Sequence, residues 1–211
     1  MKGVLIGVLL FISFYPAQGL AQSKNFGLKF GVGSAGVYQN PVVDGRVRGF
    51  SLYGFYDLNI SHSFFSTIDL GVTQRGFKST QNETTQSGGS VKKVTATSRT
   101  TYLSLEPFVN VMFLPTSLPI YLGIAPRFDL LIKRDPGELK FTSGTYKIDL
   151  VNDLDRFAFG TSLVLGYKNI SIAGVRFRLE GKYEVDITDS MSKYPAKYRN
   201  NVLMFLLGVN L

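Results

Sequence analysis

The segment 175–187 reads VRFRLEGKYEVDI and alternates strictly between two kinds of side chain. Its odd-numbered positions are apolar, aromatic or glycine, and its even-numbered positions up to Asp186 are all charged. Because side chains in a strand alternate with period two, the segment forms a strand with one apolar face and one charged face. A soluble antiparallel sheet whose polar face meets water gives the same pattern. The number of repetitions along the chain therefore decides between a soluble sheet and a membrane-spanning barrel.

A similar alternation recurs about eight times along the chain. It covers the segments 25–34, 48–58, 63–77, 101–113, 120–133, 156–167, 175–187 and 202–211, and the fourth can start as early as residue 91. Connections after the first, third, fifth and seventh segments are long, and the others are short. Within the long ones the sequence predicts a polar loop over 79–90, a break at 134–137 and a small hairpin over 138–151, which would lie above the membrane. Outer-membrane barrels have short periplasmic turns and longer external loops. The sequence therefore predicts an all-β fold, an eight-stranded antiparallel up-and-down transmembrane β-barrel with both termini periplasmic.

The N-terminal residues have the pattern of an export signal. Lys2 precedes an apolar run over 3–15, and small residues end the segment near Ala21. This predicts a secretory signal peptide over 1–21 and one barrel domain over 22–211. An uncleaved anchor is the alternative, but about 13 apolar residues fall short of the ~20 that a spanning helix needs. The expected location is the bacterial cell outer membrane.

The mature chain is basic and has no cysteine, so it has neither disulfides nor thiol chemistry. The formal net charge of +8 falls to +7 without Lys2. An exported chain rarely meets nucleic acid, so the expected acidic partner is the phosphate of lipopolysaccharide. Other expected partners are outer-membrane lipid, the barrel-assembly machinery during insertion and an envelope protein. The barrel is expected to be a monomer.

Charged side chains on the inward faces are the first candidate site. An eight-stranded barrel has an interior just wide enough for side chains to fill, and buried charges must be paired. We therefore expect an ion-pair plug, with Glu106, Arg127 and Glu180 near its centre. A narrow pore lined by charge and a catalytic carboxylate pair are the alternatives. The expected plug consists of Asp69, Glu106, Arg127, Asp129, Arg176, Arg178, Glu180 and Lys182.

The last long connection is the second candidate site. Basic and aromatic residues interleave there, namely Lys193, Tyr194, Lys197, Tyr198 and Arg199. Basic groups could hold lipopolysaccharide phosphates while the tyrosines lie at the membrane interface. An ordinary solvated loop is the competing interpretation.

Nothing in the sequence points to catalysis. The single histidine, His62, lies between two serines in a predicted periplasmic turn, where adjacent residues do not converge on one point. No metal-ligand constellation or phosphate-binding loop is present. We expect no enzymatic activity, no cofactor and no metal.

Three segments carry a family resemblance. They are FGLKFGVG at 26–33, TYLSLEP at 101–107 and LLGVNL at 206–211. Together they resemble the small outer-membrane β-barrel domains of Bacteroidetes that are often called PorT-like. The resemblance implies the same barrel fold and a role associated with assembly or secretion, and it implies no catalytic residues.

Three functional hypotheses remain open. The first is a structural, recognition or assembly protein that acts through its external loops. The second is a narrow porin-like channel for small solutes. The third is a soluble lipocalin-like ligand binder, in which the apolar faces would point inward and the charges of 175–187 would lie in water.

Overall fold

In the computed structural model, the described residues are 25–38, 45–61, 63–83, 92–114, 118–141, 144–148, 155–189 and 199–211. They form nine strands, β1 Phe26–Tyr38, β2 Val47–Asn59, β3 Phe64–Glu83, β4 Lys92–Leu114, β5 Leu118–Phe141, β6 Gly144–Ile148, β7 Phe157–Ile172, β8 Val175–Asp186 and β9 Arg199–Asn210. The described residues include no helix long and apolar enough to cross a membrane.

The strands close into an antiparallel barrel. Their hydrogen-bonded order is β4-β3-β2-β1-β9-β8-β7-β5, and a further pairing of β4 with β5 closes the ring. Eight strands therefore form the wall, and β6 pairs with β5 beyond it. The predicted eight-stranded up-and-down barrel is confirmed.

The two faces of the wall have opposite character, as the alternation predicts. Outward residues such as Phe30 and Leu165 are 55% and 57% exposed, whereas inward Lys182 and Glu184 are fully buried. An apolar exterior suits lipid and a polar interior suits a closed lumen. The inverted arrangement that a soluble lipocalin-like barrel requires is not the one this chain adopts.

The barrel has two distinct ends. The terminal end carries the start of β1 and the end of β9, where Gly27 pairs with Asn210, and the short connections β2–β3, β4–β5 and β7–β8. The loop end carries the longer connections β1–β2, β3–β4, β5–β7 and β8–β9. Both names are used below in this sense.

Three strands project beyond the rim at the loop end. β3, β4 and β5 have 20, 23 and 24 residues, where about 9–11 suffice to cross a bilayer. The polar loop expected over 79–90 is therefore shorter than predicted, because β3 continues to Glu83 and β4 starts at Lys92. The break expected at 134–137 is also wrong, since β5 runs through it with a register shift opposite Arg99. The hairpin expected over 138–151 is present as the top of β5 paired with β6.

Two prolines interrupt the β4–β5 seam at one shared position. Leu105 pairs with Phe128 and Val109 pairs with Ile124, which places Pro107 opposite Pro126. In this described stretch no backbone pair joins β4 to β5 between those two positions. Because proline has no amide N–H, the arrangement concentrates both missing donors in a single gap.

The lumen is packed rather than hollow. One apolar cluster surrounds Tyr53 and Met204, and another surrounds Phe65 and Tyr121. Inward glycines make room for larger neighbours, as at Gly160, where an added Cβ would lie 2.6 Å from Nη2 of Arg127. Charged side chains occupy the remaining interior.

Candidate functional site

A network of buried charges runs along the lumen. Within the described part of the barrel it contains six cations, Lys29, Arg75, Arg127, Lys168, Arg178 and Lys182. It also contains seven carboxylates, Asp57, Asp69, Glu106, Asp129, Glu180, Glu184 and Asp186. The near balance of charge matters because an unpaired buried ion costs several kcal/mol.

Two arginines organise the half of the network nearer the loop end. Arg75 Nη1 donates to Asp129 Oδ2 at 2.7 Å, and its Nη2 donates to Asp129 Oδ1 and Glu184 Oε2, each at 3.1 Å. Arg127 Nε donates to Asp129 Oδ2 at 2.8 Å, and Arg127 Nη2 pairs with Asp186. Such two-pronged contacts are the strongest kind of protein ion pair.

Lys182 extends the loop-end half of the network to Glu106 on β4. Its Nζ donates to Glu106 Oε1 at 2.8 Å and lies 3.3 Å from Glu184 Oε1. The ammonium also lies 3.9 Å from the centre of the Tyr53 ring, close enough for a cation–π interaction. Because Glu184 also binds Arg75, the contacts continue without a break from β4 to the loop-end arginines.

The half nearer the terminal end centres on Lys29. Its Nζ lies 2.8 Å from Asp69 Oδ2 and 2.9 Å from Glu180 Oε1. The Tyr121 hydroxyl donates a hydrogen bond to the same Glu180 oxygen. Closer to the rim, Arg178 binds both carboxylate oxygens of Asp57.

The structure brings most of the expected plug residues together. The buried ones are Asp69, Glu106, Arg127, Asp129, Arg178, Glu180 and Lys182. Arg176 is only half-buried, because it lies one step from the turn that begins β8. The expected central residues Glu106, Arg127 and Glu180 do not share a partner; each is held by a different cation or carboxylate.

The expected plug left out six members of the network, namely Lys29, Asp57, Arg75, Lys168, Glu184 and Asp186. Lys168 was expected in a turn, but β7 continues to Ile172 and buries it. Its inward position was visible in the period-two series that also contains Ser162 and Val164. Asp186 ends the charged face of β8 and accepts a hydrogen bond from Nδ2 of Asn200 at 2.8 Å.

The second candidate site falls mostly outside the described residues. This applies to Lys193, Tyr194, Lys197 and Tyr198, and also to His62 and the signal peptide expected over 1–21. Arg199 is described, and it begins β9 opposite Tyr38 instead of lying in a loop. It is half-buried.

Exposed basic residues surround the loop end. They are Arg46, Arg48, Lys78, Arg99, Lys133, Arg134 and Arg156. We call this set the basic belt. Lys133 pairs with Asp135 at 2.8 Å, and Asp155 and Asp189 at the same end are half-buried. In the described ranges, no cluster of histidine, aspartate or glutamate side chains is placed to hold a metal ion.

Comparisons with known proteins agree with this architecture. A family model described as "Outer membrane protein beta-barrel domain" matches residues 17–192. Among solved structures, the chain is similar to neisserial surface protein A, with 14% identity over 90% of this chain and 98% of that one and a TM-score of 0.45. The Yersinia pestis attachment invasion locus protein Ail, solved with the heparin analogue sucrose octasulfate, is 13% identical over 88% and 97%, with a TM-score of 0.42. No curated protein matches the chain significantly.

Proposed function

Because this chain belongs to the outer membrane protein β-barrel domain family, we propose that it is a non-conducting, non-enzymatic barrel that acts by recognition at its loop end. The family places it in the bacterial outer membrane. Short turns of such barrels face the periplasm, so the proposed orientation puts the terminal end there and the basic belt outside. A PorT-like role in assembly or secretion is the finer form of this proposal.

The observation that carries the proposal is the filled lumen. Ion pairs join Arg75 to Lys182 through Glu184, a second group of ion pairs surrounds Lys29, and apolar clusters lie in the rest of the interior. An ion that crossed this interior would have to separate buried ion pairs. Each separation would leave a buried charge without compensation. The arrangement supports an ion-pair plug rather than a pore.

Planar-bilayer recording tests the closed lumen. The purified barrel should give no stable single-channel steps at moderate voltage, while a porin reconstituted in parallel shows its usual steps. A variant with Arg75→Ala and Arg127→Ala, if it still folds, should show noisy leak because two of the six buried cations are gone. Uniform steps from the unmodified protein would instead establish the narrow channel.

The basic belt supports a phosphate-bearing partner at the loop end, for which we propose lipopolysaccharide. Exposed arginines bind phosphate oxygens through paired N–H donors, and several of them on adjacent strands strengthen the attraction. Binding of lipid A to the barrel in nanodiscs should be stronger than binding of dephosphorylated lipid A. Charge reversal at Arg99 and Arg48 should remove that difference, whereas equal binding of both lipids would contradict the proposal.

A further inference from the structure

A β-bulge shapes the lumen at the terminal end. In β7, Tyr167 pairs with Leu179 and Ile170 pairs with Phe177, so Lys168 and Asn169 together lie opposite Arg178. Asn169 has a φ of 67°, in the left-handed region that asparagine tolerates better than most residues. Bulges often redirect a side chain beside a functional site. Here Lys168 points inward next to Arg178, and the two cations meet at one carboxylate.

That carboxylate is already occupied. Asp57 accepts hydrogen bonds from both terminal nitrogens of Arg178 and, at 2.8 Å, from the hydroxyl of Thr67. Lys168 Nζ remains 3.8 Å from Asp57 Oδ2, beyond hydrogen-bond distance. The ammonium of Lys168 is therefore buried with an attractive but distant counter-ion.

Two arginines on β8 increase the positive charge at this rim. Arg176 is the next inward residue after Arg178, and the Nε atoms of both are buried without a hydrogen-bond partner. Glu180 lies one step deeper, where Lys29 and Tyr121 hold it. The rim thus has three cations around Asp57, and the next carboxylate, Glu180, lies 3.7 Å from Arg178 and is already held by Lys29, an arrangement suited to an added anion.

A cavity of about 530 Å³ opens beside Lys168. Lys168 lines it, with its ammonium 3.7 Å from the centre of the Phe65 ring, and Met112 and Ile60 extend the apolar wall. Asn59 and Asn169 contribute side-chain amides at its edge. A cation, an apolar wall and amides together match a carboxylate attached to a peptide better than a bare inorganic ion.

We propose that this cavity binds the terminal carboxylate of a peptide, with the carboxylate held by Lys168, which lines the cavity, and attracted by the positive charge of Arg176 nearby. The adjoining side chain of the peptide packs on Phe65 and Met112, and its amide groups meet Asn59 and Asn169. In the orientation proposed above, the cavity opens to the periplasm. The site is at the opposite end of the barrel from the basic belt and does not depend on what the belt binds.

Methionine-methyl NMR gives a direct test. In the folded barrel in micelles, the methyl group of Met112 reports on the cavity, and that of fully buried Met204 is an internal control. The probe is acetyl-Ala-Ala-Phe with a free carboxylate, compared with the same peptide amidated and with inorganic phosphate. We expect a saturable shift of the Met112 signal with the free acid only. A cell-wall stem peptide ending in D-Ala, titrated in parallel, shows which source of carboxylate binds more tightly.

Matched variants assign the effect to the cavity. Lys168→Gln should weaken binding about tenfold or more, as loss of a charge-assisted hydrogen bond does. Lys168→Arg should retain binding, and Lys133→Gln, at an exposed lysine of the loop end, should change nothing. Arg176→Gln provides a second test if Lys168→Gln fails to fold, because Arg176 is only half-buried. Any of three results would overturn the proposal. They are equal shifts of the Met112 signal with the free acid and the amide, equal binding of phosphate, and full affinity in a folded Lys168→Gln variant.

Discussion

At the scale of single residues, the interior depends on reciprocal pairing. Glu106 and Lys182 are both completely buried and hold each other at 2.8 Å. The pair as a whole adds less stability to the folded barrel than its short distance suggests, because taking two ions out of water is costly. Removing only Glu106 is much worse, because the buried ammonium of Lys182 then loses its closest counter-ion and keeps Glu184 at 3.3 Å.

We expect Glu106→Ala to lower the free energy of unfolding by roughly 3–5 kcal/mol. Combining it with Lys182→Met should recover part of that loss, because the buried ammonium is then gone while Glu184 keeps Arg75 and Arg127. Urea unfolding in phospholipid vesicles measures both changes. The control is Asp135→Ala in the exposed pair with Lys133, expected to cost less than about 1 kcal/mol. If Glu106→Ala alone lost no more unfolding free energy than Asp135→Ala, the result would contradict the pairing argument.

Inward glycines lead to a second prediction for single residues. At Gly160 an added Cβ would lie 2.6 Å from Nη2 of Arg127 and 2.5 Å from the carbonyl oxygen of Val185. Gly160→Ala should therefore destabilise the barrel by roughly 1–3 kcal/mol, the usual cost of overpacking. Gly181→Ala is the matched control, since its nearest neighbour would be a full 4.0 Å away. Thermal unfolding followed by gel mobility should separate the two variants.

At the scale of strands, the weakest part of the described wall is the gap at Pro107 and Pro126. Replacing both by valine should restore two ladder hydrogen bonds, each worth about 1 kcal/mol. Hydrogen exchange measured by NMR should then show slow exchange at the new amides of residues 107 and 126. Each single substitution should give one protected amide. Fast exchange at both positions would mean that the seam is held open by something other than missing donors.

Strand faces were predictable because one physical rule sets them across the membrane. Lipid outside and a packed lumen inside force the period-two pattern, and it located Glu106, Arg127 and Glu180 correctly on the inward face. Above the membrane both faces meet water, so β3, β4 and β5 continue there without any apolar alternation. Bulges are also invisible to a strict period, so the sequence did not show that β7 continues past Lys168 to Ile172.

The particular ion pairs could not be predicted from faces alone. Lys182 on β8 meets Glu106 on β4, and Lys29 on β1 meets Asp69 on β3, across the lumen rather than between adjacent strands. Such contacts depend on the curvature of the closed barrel and on how far each side chain reaches. A sequence pattern gives neither quantity.

At the scale of the whole molecule, the lumen network and the wall depend on each other. Every wall strand has two neighbours in the closed ring, and the charged core has partners on opposite sides of it. We therefore expect urea unfolding followed by tyrosine fluorescence and by gel mobility to give one coincident transition. Two separate midpoints would show that part of the barrel opens while the remainder stays folded.

The charged face of β8 also limits how the chain can enter a bilayer. This strand places Arg176, Arg178, Glu180, Lys182, Glu184 and Asp186 on one side. Alone in hydrocarbon, such a strand would carry six ionised groups and a row of unpaired backbone amides, at a prohibitive cost. The partners that neutralise Lys182 and Arg178 lie on β4 and β2, which are synthesised much earlier. Insertion one strand at a time is therefore excluded, and the chain must curl and neutralise its own charges as it crosses into lipid.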